Sequence, residues 1–448
     1  PDPARARIAL LVAAGDQVDA GAAGQQGDVG MGLRGRQQGI AYRAPGGIGG
    51  ASNCDSGMHW VNAWQAPPTD GISPVDASLL PFLTGPLQTV RAVLSPTGAG
   101  STIRIHLSNR YAIGPVTFGA VTIAKRTTGA AIDPATLVPI RFAGAASITV
   151  PAGEDVVSDA ASFSFSAFDD LAVSVYTTNA SVTTTRHQVA RQTSFATLPL
   201  GGDQTADASA AAFIQSTTMR PFVVGLDVRV SERTTALVTF GDSLTDGFQG
   251  PGFGGGLVPS QNTETIDLNQ RYTDYLQLRL IAAGRDVFVS NAGISGNQVL
   301  EDPRLPDGLP TYGRAALTRM DQDVLEQAGV NDVLFWMGIN DIGHSPSTTV
   351  EALTAGYVEV IARLHARGLR VIQGTLTPSG GTGDGYATPE ATALRNAVNA
   401  WIRQHSPADA IVDFDAAVRD SANPDFIAPE YEGGDGLHFN AAGFERIA

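Results

Sequence analysis

Two different patterns of apolar and polar positions divide the chain. Between residues 57 and 232 apolar and polar side chains alternate with a period of two, most clearly over 103–107 and 171–176. This period is typical of strands with one buried and one solvated face, and turn signals such as the Gly-Pro pair at 114–115 separate the runs. The pattern predicts an all-β sandwich, jelly-roll-like, over 57–232.

The pattern changes after residue 233. A continuous apolar run over 235–240 is typical of a strand that is buried on both faces. From there strands and helices are predicted in alternation, with strands at 287–291, 333–337, 369–376 and 410–414, and helices at 272–283, 315–327, 350–367, 390–405 and 440–448. Such alternation predicts an α/β domain over 233–448, with a parallel sheet covered by helices on both faces.

The first 56 residues follow neither pattern. They are rich in Gly, Ala and Gln, and we expect an irregular or disordered N-terminal segment over 1–56. The apolar run at 8–14 is short for the core of a signal peptide, so there is no clear one. No stretch approaches the roughly 20 apolar residues of a membrane span, and we expect no integral membrane association.

The charge and the cysteine content exclude several kinds of partner and binding site. The chain of 448 residues has 29 Lys and Arg against 44 Asp and Glu, a net charge of −15, which argues against nucleic acid as a partner. Cys54 is the only cysteine, which excludes an internal disulfide and a Cys-based zinc site. Gly250, Gly252 and Gly255 spell GxGxxG in a Gly/Pro loop rather than at a strand-to-helix turn, so we expect no dinucleotide site. We expect no metal and no organic cofactor.

Four polar segments follow the predicted strands of the second half. They are Gly-Asp-Ser-Leu at 241–244, Asn-Ala-Gly-Ile-Ser-Gly-Asn at 291–297, Gly-Ile-Asn-Asp at 338–341 and Asp-Gly-Leu-His at 435–438. Ligands of open α/β sheets bind outside the carboxyl ends of the strands. We therefore expect these segments to meet at one edge of the sheet.

The side chains in these segments are those that acyl transfer needs. Ser243 is a weak nucleophile without a base, and His438 can be that base. Asp435 lies three residues before His438, close enough to accept a hydrogen bond from Nδ1 and fix the tautomer. The N–H of Ser243, the N–H of Gly296 and the side-chain amide of Asn340 are candidate donors to an oxyanion.

Several of these residues have alternative interpretations. Gly293 competes with Gly296 as the glycine donor, and Asp435 could be a helix cap instead of a partner of the base. His344, which follows the Gly-Ile-Asn-Asp segment, is the rival to His438. Trp60 and Trp64 could stack on sugar rings or belong to a core.

The order of the four segments resembles the four blocks of the GDSL, or SGNH, hydrolase family over about 233–448. The resemblance implies a flavodoxin-like three-layer α/β fold and hydrolysis of esters through an acyl-enzyme. It also implies that Ser243 is the nucleophile, that Asp435 and His438 serve it, and that Gly296 and Asn340 complete an oxyanion hole.

The first half resembles the β-rich N-terminal part of secreted actinobacterial GDSL proteins, through residues 104–110 and 171–176. Some of that subgroup are linked to esters of xylan or other polysaccharides. The resemblance thus implies a secreted serine esterase acting on small-molecule or polysaccharide esters, with short acyl groups of acetyl type on carbohydrate. The alternatives are a lipase-like or thioesterase-like acyl hydrolase, and a polysaccharide-binding protein with a vestigial hydrolase domain.

Overall fold

The computed structural model describes residues 57–69, 85–179, 184–250, 263–303 and 312–448. The segment predicted to be irregular over 1–56 lies outside the described residues, as do Gly252 and Gly255 of the glycine loop. Residues Gly57–Ala448 group into one unit by their contacts.

The first part of this unit consists of short antiparallel strands, as the alternating pattern predicts. They are β1 Met58–Gln65, β2 Gln88–Leu94, β3 Gly100–Ser108, β4 Val116–Lys125, β5 Val138–Pro139, β6 Ile148–Val150, β7 Asp155–Val157, β8 Ala161–Phe165, β9 Leu171–Thr177, β10 Arg186–His187, β11 Ser194–Ala196, β12 Gln215–Thr217, β13 Arg220–Pro221 and β14 Val223–Ser231. A 3₁₀ turn, Pro134–Thr136, precedes β5.

These strands form two main sheets. One has the order β1-β14-β3-β7 with β8 also paired to β3, and the other has the order β12-β11-β2-β9-β4-β5 with β6 also paired to β4. Apolar side chains from both sheets share one core, which includes Trp64, Ile105, Phe118, Val173 and Leu226. The region is therefore β-rich, and its jelly-roll-like arrangement stays a prediction.

The alternation over 171–176 predicts one solvated face for β9, and that detail is wrong. Ala172 and Ser174 on the expected outer face are each only 1% exposed. β9 is a central strand that lies between β2 and β4. Other segments cover its expected outer face, since Ala172 packs against Ile132 and Ser174 accepts a hydrogen bond from the buried Arg91 at 2.8 Å.

The second part is built on a parallel sheet. Its strands are β15 Thr235–Gly241, β16 Val287–Gly293, β17 Val330–Trp336, β18 Arg370–Gly374 and β19 Ala410–Val412. Its helices are α1 Ser243–Asp246, α2 Tyr272–Ala282, α3 Ala316–Met320, α4 Ile339–His344, α5 Val350–His365, α6 Pro389–His405, α7 Phe414–Val418 and α8 Ala441–Ile447. Short 3₁₀ turns occupy Thr263–Thr265 and Gly385–Ala387.

The strand order is β16-β15-β17-β18-β19, so β16 lies on one side of β15 and the later strands lie on the other side. Doubly wound sheets bind ligands at such a switch point, outside the carboxyl ends of the strands. Side chains alternate along β17: Val333 and Phe335 face the cluster under α3, α5 and α6, whereas Leu334 and Trp336 face the cluster under α2, α7 and α8. Helices thus cover both faces of the sheet, as the apolar run at β15 predicts.

The single helix predicted over 315–327 is wrong in its second half. The α-helix ends at Met320, and Asp321–Leu325 forms a π-helical turn. The wider turn lies beside a buried polar pair, Arg319 and Asp323, at 3.1 Å. Apolar periodicity does not register a buried ion pair, so the pattern misses the change of helix type.

The β-rich part packs directly on the parallel sheet. The N–H of Asn62 donates to Ala328 O at 2.8 Å, and the hydroxyl of Thr97 donates to Val289 O at 2.8 Å. Phe288 of β16 packs against the β-rich core. The predicted domain boundary at 232/233 falls between β14 and β15 and stays a prediction.

Candidate active site

Ser243 begins a helix of one turn directly after β15. The side chain of Asp242 caps this helix by accepting a hydrogen bond from the N–H of Leu244 at 3.0 Å. Gly247 ends it with φ = 89°, a left-handed conformation that a glycine adopts without strain. The turn fixes the Ser243 side chain at the carboxyl edge of the sheet, and Ser243 is 5% exposed.

His438 and Asp435 reach the same edge from the loop before α8. His438 Nε2 lies 2.8 Å from Ser243 Oγ, and His438 Nδ1 lies 2.7 Å from Asp435 Oδ2. The other carboxylate oxygen of Asp435 accepts the N–H groups of Leu437 and His438 at 3.0 and 2.8 Å. Asp435 therefore both caps its own turn and holds the imidazole, so the two interpretations of this residue are compatible.

The charge state of Asp435 suits this position. Burial by itself raises the pKa of its carboxyl, but the hydrogen bond from His438 and the charge of that ring outweigh burial and lower it. The carboxylate is thus ionised at neutral pH and orients His438 with Nδ1–H toward Asp435. Nε2 is then left facing the hydroxyl of Ser243.

An aromatic ring covers the imidazole. The ring of Phe248 lies 4.7 Å from that of His438, with an interplanar angle of 55°, and Phe248 is 2% exposed. A Cβ at Gly250 would lie 2.9 Å from Asp435 Oδ2. The chain after α1 therefore encloses His438 and Asp435 on one side.

The two candidate glycines differ in what they contact. The N–H of Gly293 already donates to Asn291 Oδ1 at 2.8 Å, and a Cβ on Gly293 would lie 2.2 Å from the backbone nitrogen of Asp246. For the N–H of Gly296, no acceptor is found among the described parts of the chain. Gly296 has φ = 78°, and a Cβ there would lie 2.4 Å from the ring of Tyr312. Gly293 thus serves close packing against α1, and Gly296 offers the free donor.

Asn340 lies at the start of α4 with its amide fixed at both ends. Its Nδ2 donates to Asn297 O at 2.9 Å, and its Oδ1 accepts from the hydroxyl of Tyr386 at 2.7 Å. An amide nitrogen has two donors, so the second N–H of Asn340 is available to a ligand. The contact with Asn297 brings Asn340 next to Gly296.

Two side chains that the sequence analysis does not single out join the segments. Asp246 at the end of α1 accepts the N–H and the hydroxyl of Ser295 at 3.0 and 2.7 Å. The guanidinium of Arg319 donates to Gly241 O, Ala292 O and Asn297 Oδ1, each at 2.9 Å. The serine turn and the glycine turn are therefore held as one body.

Two further carboxyls below the site are buried with raised pKa values. Burial raises the pKa of Asp242 to about 7, and the charge of Asp341 adds to this rise against the N–H of Leu244. Burial raises the pKa of Asp341 to about 6, although it accepts the N–H groups of Val299 and Leu300. Both carboxyls accept hydrogen bonds from backbone N–H groups of turns. They therefore position the backbone and do not face Ser243.

The rival residues have other partners. His344 Nε2 lies 2.7 Å from the oxygen of Tyr386, whereas the imidazole at Ser243 is that of His438. Trp64 belongs to the β-rich core and lies 4.8 Å below the guanidinium of Arg220. Trp60 packs under Arg104 at 4.7 Å. These contacts favour the core interpretation for Trp64, whereas Trp60 is half-buried and lies outside the core cluster.

A search of the described residues finds no group of three or more His, Cys, Asp or Glu that could hold a metal ion. Within the same residues, no helix combines the length and the apolar character needed to cross a membrane.

Comparisons with known proteins find similarity in the second half of the chain. The sequence model of the GDSL-like lipase/acylhydrolase family matches residues 239–446. The search of curated proteins returns no match. Similar solved structures include Est24, a carbohydrate acetylesterase from Sinorhizobium meliloti, with 18% identity and a TM-score of 0.35 over 48% of this chain and 94% of that one.

Two further structures have the same extent of similarity. The aryl esterase of M. smegmatis has 16% identity and a TM-score of 0.35 over 48% of this chain and 94% of its own. The lipase/acylhydrolase of Enterococcus faecalis has 20% identity and a TM-score of 0.32 over 47% and 90%. Residues 239–446 therefore form a domain of the GDSL-like lipase/acylhydrolase family.

Proposed function

We propose that this protein is a serine esterase that hydrolyses carboxylic esters through an acyl-enzyme, and that its substrates are short acyl esters, of acetyl type, on carbohydrate. The observation that carries the proposal is the chain of two short contacts, 2.8 Å from Ser243 Oγ to His438 Nε2 and 2.7 Å from His438 Nδ1 to Asp435 Oδ2. A hydroxyl, an imidazole and an ionised carboxylate in this order form a nucleophile with its base and its orienting group.

In the first half of the reaction, Ser243 Oγ attacks the ester carbonyl carbon while His438 Nε2 takes the hydroxyl proton. The negative charge that develops on the carbonyl oxygen is stabilised by the N–H groups of Ser243 and Gly296 and by the free N–H of Asn340. His438 then donates its proton to the leaving alcohol oxygen, and the acyl group stays bonded to Ser243.

In the second half, water takes the place of the alcohol. His438 removes a proton from the water as its oxygen attacks the acyl carbon, and the same donors hold the second oxyanion. Collapse of this intermediate releases the carboxylic acid and returns the proton to Ser243 Oγ. The cycle consumes one water molecule and returns Ser243 and His438 to their starting protonation states.

A cavity of about 530 Å³ is the candidate site for the alcohol side of the substrate. It is lined by Gln298, Leu300, Glu301, Asp302, Pro303, Tyr312, Thr318, His344 and Ser345. Two of these residues contact the candidate oxyanion donors, since Gln298 donates to Asn340 O at 3.2 Å and the ring of Tyr312 lies against Gly296. Carboxylates, amides and hydroxyls hydrogen-bond the hydroxyl groups of a sugar, whereas a long acyl chain gains little from them. The lining therefore supports a polar alcohol over the lipase-like or thioesterase-like alternative.

The test of the nucleophile compares Ser243→Ala with Ser421→Ala, which removes an exposed hydroxyl from a surface loop. On a chromogenic acetyl ester, Ser243→Ala is expected to lower kcat by more than about 10⁴-fold, and Ser421→Ala to leave it unchanged. Mass spectrometry after treatment with an organophosphonate should find the label on Ser243. A vestigial hydrolase domain would give neither turnover nor label, and full turnover by Ser243→Ala would refute the nucleophile.

The substrate class is tested by a panel of acyl esters of increasing chain length set against acetylated xylan. The proposal expects deacetylation of the glycan and a kcat/KM that falls as the acyl chain lengthens. A kcat/KM that rises with chain length, without release of acetate from the glycan, would favour the lipase-like alternative.

A further inference from the structure

A segment of the β-rich part reaches the far end of the serine helix. His187, at the end of β10, has its Nε2 3.0 Å from Asp246 Oδ1, and the two side chains are 3% and 5% exposed. The guanidinium of Arg271 adds a second link, since it donates to Asp246 O at 3.0 Å and to Ala190 O at 2.6 Å. His187 therefore holds Asp246 directly from the β-rich part, and Arg271 of the α/β part connects Asp246 O to Ala190 of the β-rich part.

The same carboxylate holds the glycine turn. Asp246 Oδ2 accepts both the N–H and the hydroxyl of Ser295, the residue directly before Gly296. Asp246 also lies three residues after Ser243 on the one-turn helix α1. One carboxylate thus joins the β-rich part, the candidate nucleophile and the candidate oxyanion donor.

Both ring nitrogens of His187 lie within hydrogen-bond distance of fixed oxygens. Its Nδ1 lies 2.8 Å from Pro67 O, and its Nε2 lies 3.0 Å from Asp246 Oδ1 and 3.2 Å from Val189 O. The contact with Pro67 O fixes the orientation of the ring, so that Nε2 is directed at Asp246. Removal of the imidazole would leave the buried Asp246 without this contact.

We propose that His187 is a positioning residue for ester hydrolysis: it fixes Asp246, and through Ser295 it fixes Gly296 where the oxyanion forms. The inference rests on the proposed function, and it gives the β-rich part a role in the active site of the α/β part. Small displacements of an oxyanion donor cost rate rather than substrate affinity, because the donor acts on charge that develops in the transition state.

The experiment compares His187→Gln with His106→Gln in the full chain. His106 is a matched control, since its Nε2 makes a similar 2.8 Å contact with the buried Asp227, but between β3 and β14. On an acetyl ester, His187→Gln is expected to lower kcat between about 10- and 100-fold with little change in KM. His106→Gln is expected to keep kcat while it lowers the thermal midpoint.

Ser295→Ala is a second variant that covers the case in which His187→Gln fails to fold. It removes the hydroxyl at the other end of the same carboxylate, so a loss of kcat with unchanged KM is expected again. Each kcat is corrected for the fraction of sites that the organophosphonate labels. The inference would be overturned if Ser295→Ala and, where it folds, His187→Gln had the kcat of wild type.

A measurement without turnover separates this inference from the proposed function. Amide hydrogen exchange over 293–297 is expected to become faster in His187→Gln and to stay unchanged in His106→Gln. If wild type hydrolyses no ester, the proposed function fails, and the exchange data still decide whether His187 holds the glycine turn. Unchanged exchange over 293–297 in His187→Gln would overturn the link.

Discussion

The amide of Asn340 can face an oxyanion only in one of its two orientations. The hydroxyl of Tyr386 donates to Asn340 Oδ1 at 2.7 Å, so the nitrogen end points to Asn297 O and leaves one N–H free. His344 completes the chain at 2.7 Å from the Tyr386 oxygen. Burial lowers the pKa of His344, with Asp384 partly opposing it, which favours a neutral ring at neutral pH that donates to this oxygen through Nε2.

Loss of the Tyr386 hydroxyl tests this orientation. Tyr386→Phe removes a hydrogen bond worth about 1 kcal/mol, so we expect kcat for an acetyl ester to fall about fivefold, with KM nearly constant. Steady-state kinetics on the purified variants measure both constants. Tyr275→Phe on α2, whose hydroxyl lies near Glu445, is the control and should match wild type. A Tyr386→Phe variant with the kcat of this control would contradict the assignment.

The residues of the site could be predicted from sequence only where they lie in the four segments. Ser243, Asp435 and His438 come together because strands of a parallel sheet end at one edge. Their catalytic roles, and those of Gly296 and Asn340, stay predictions. Tyr386 could not be predicted from the sequence, because it lies in a 3₁₀ turn with no fixed spacing to any of the four polar segments. Its hydroxyl reaches Asn340 only through the tertiary fold.

Two elements approach unusually closely at the site: the end of β16 and the helix α1. A Cβ at Gly293 would lie 2.2 Å from the nitrogen and 2.7 Å from the Cα of Asp246. Both are backbone atoms, which cannot move aside as a flexible side chain can. A residue without a side chain is required here, which is a packing reason for glycine independent of oxyanion binding.

Gly293→Ala tests this close approach. The added methyl group forces β16 and α1 apart, and we expect a loss of about 1–3 kcal/mol in the free energy of unfolding together with a large loss of kcat. Urea unfolding and ester kinetics measure the two effects. Gly114→Ala, where nothing lies within 4 Å of an added Cβ, should change neither. Equal stability of the two variants would show that the turn can relax around the methyl group.

The period of apolar positions predicts whether an element is a helix or a strand, but it does not predict what packs against that element. The runs at β15 and β17 identify strands because burial on both faces favours consecutive apolar positions, as at 236–238 and 333–336. The same logic fails at β9, whose small polar residues are covered by distant chain, and at Asp321–Leu325, where a buried Arg319–Asp323 pair accompanies a π turn. Both errors arise from long-range polar contacts that a local period cannot contain.

Among the described residues, three buried carboxyls show two opposite effects on stability. Burial of Asp227 raises its pKa, but His106 and Arg104 outweigh burial and lower it to about 2. Burial raises the pKa of Asp242 to about 7 and that of Asp341 to about 6. The ordinary value for all three is 3.8, which we take for the unfolded chain.

The two groups act in different ranges of pH. The contribution of Asp227 is fully present above about pH 4 and is lost as the pH falls to about 2, because over this range the unfolded chain takes up a proton that the folded state does not. For Asp242 and Asp341 the folded state keeps protons that the unfolded chain has released. The free energy of unfolding therefore falls as the pH rises from about 4 to about 7, because these carboxyls ionise in the unfolded chain before they ionise in the folded state.

The substitution Asp242→Asn isolates the second effect. Asn keeps an oxygen to accept the N–H of Leu244 but cannot ionise. Its advantage in the free energy of unfolding should be small at pH 4, grow through pH 7 and level off at a gain on the order of 4 kcal/mol at pH 8. Chemical unfolding from pH 4 to pH 8 measures this difference, with Asp286→Asn, an exposed carboxylate, as the control. Parallel stability curves for wild type and Asp242→Asn would mean that this carboxyl ionises as freely in the folded protein as in the unfolded chain.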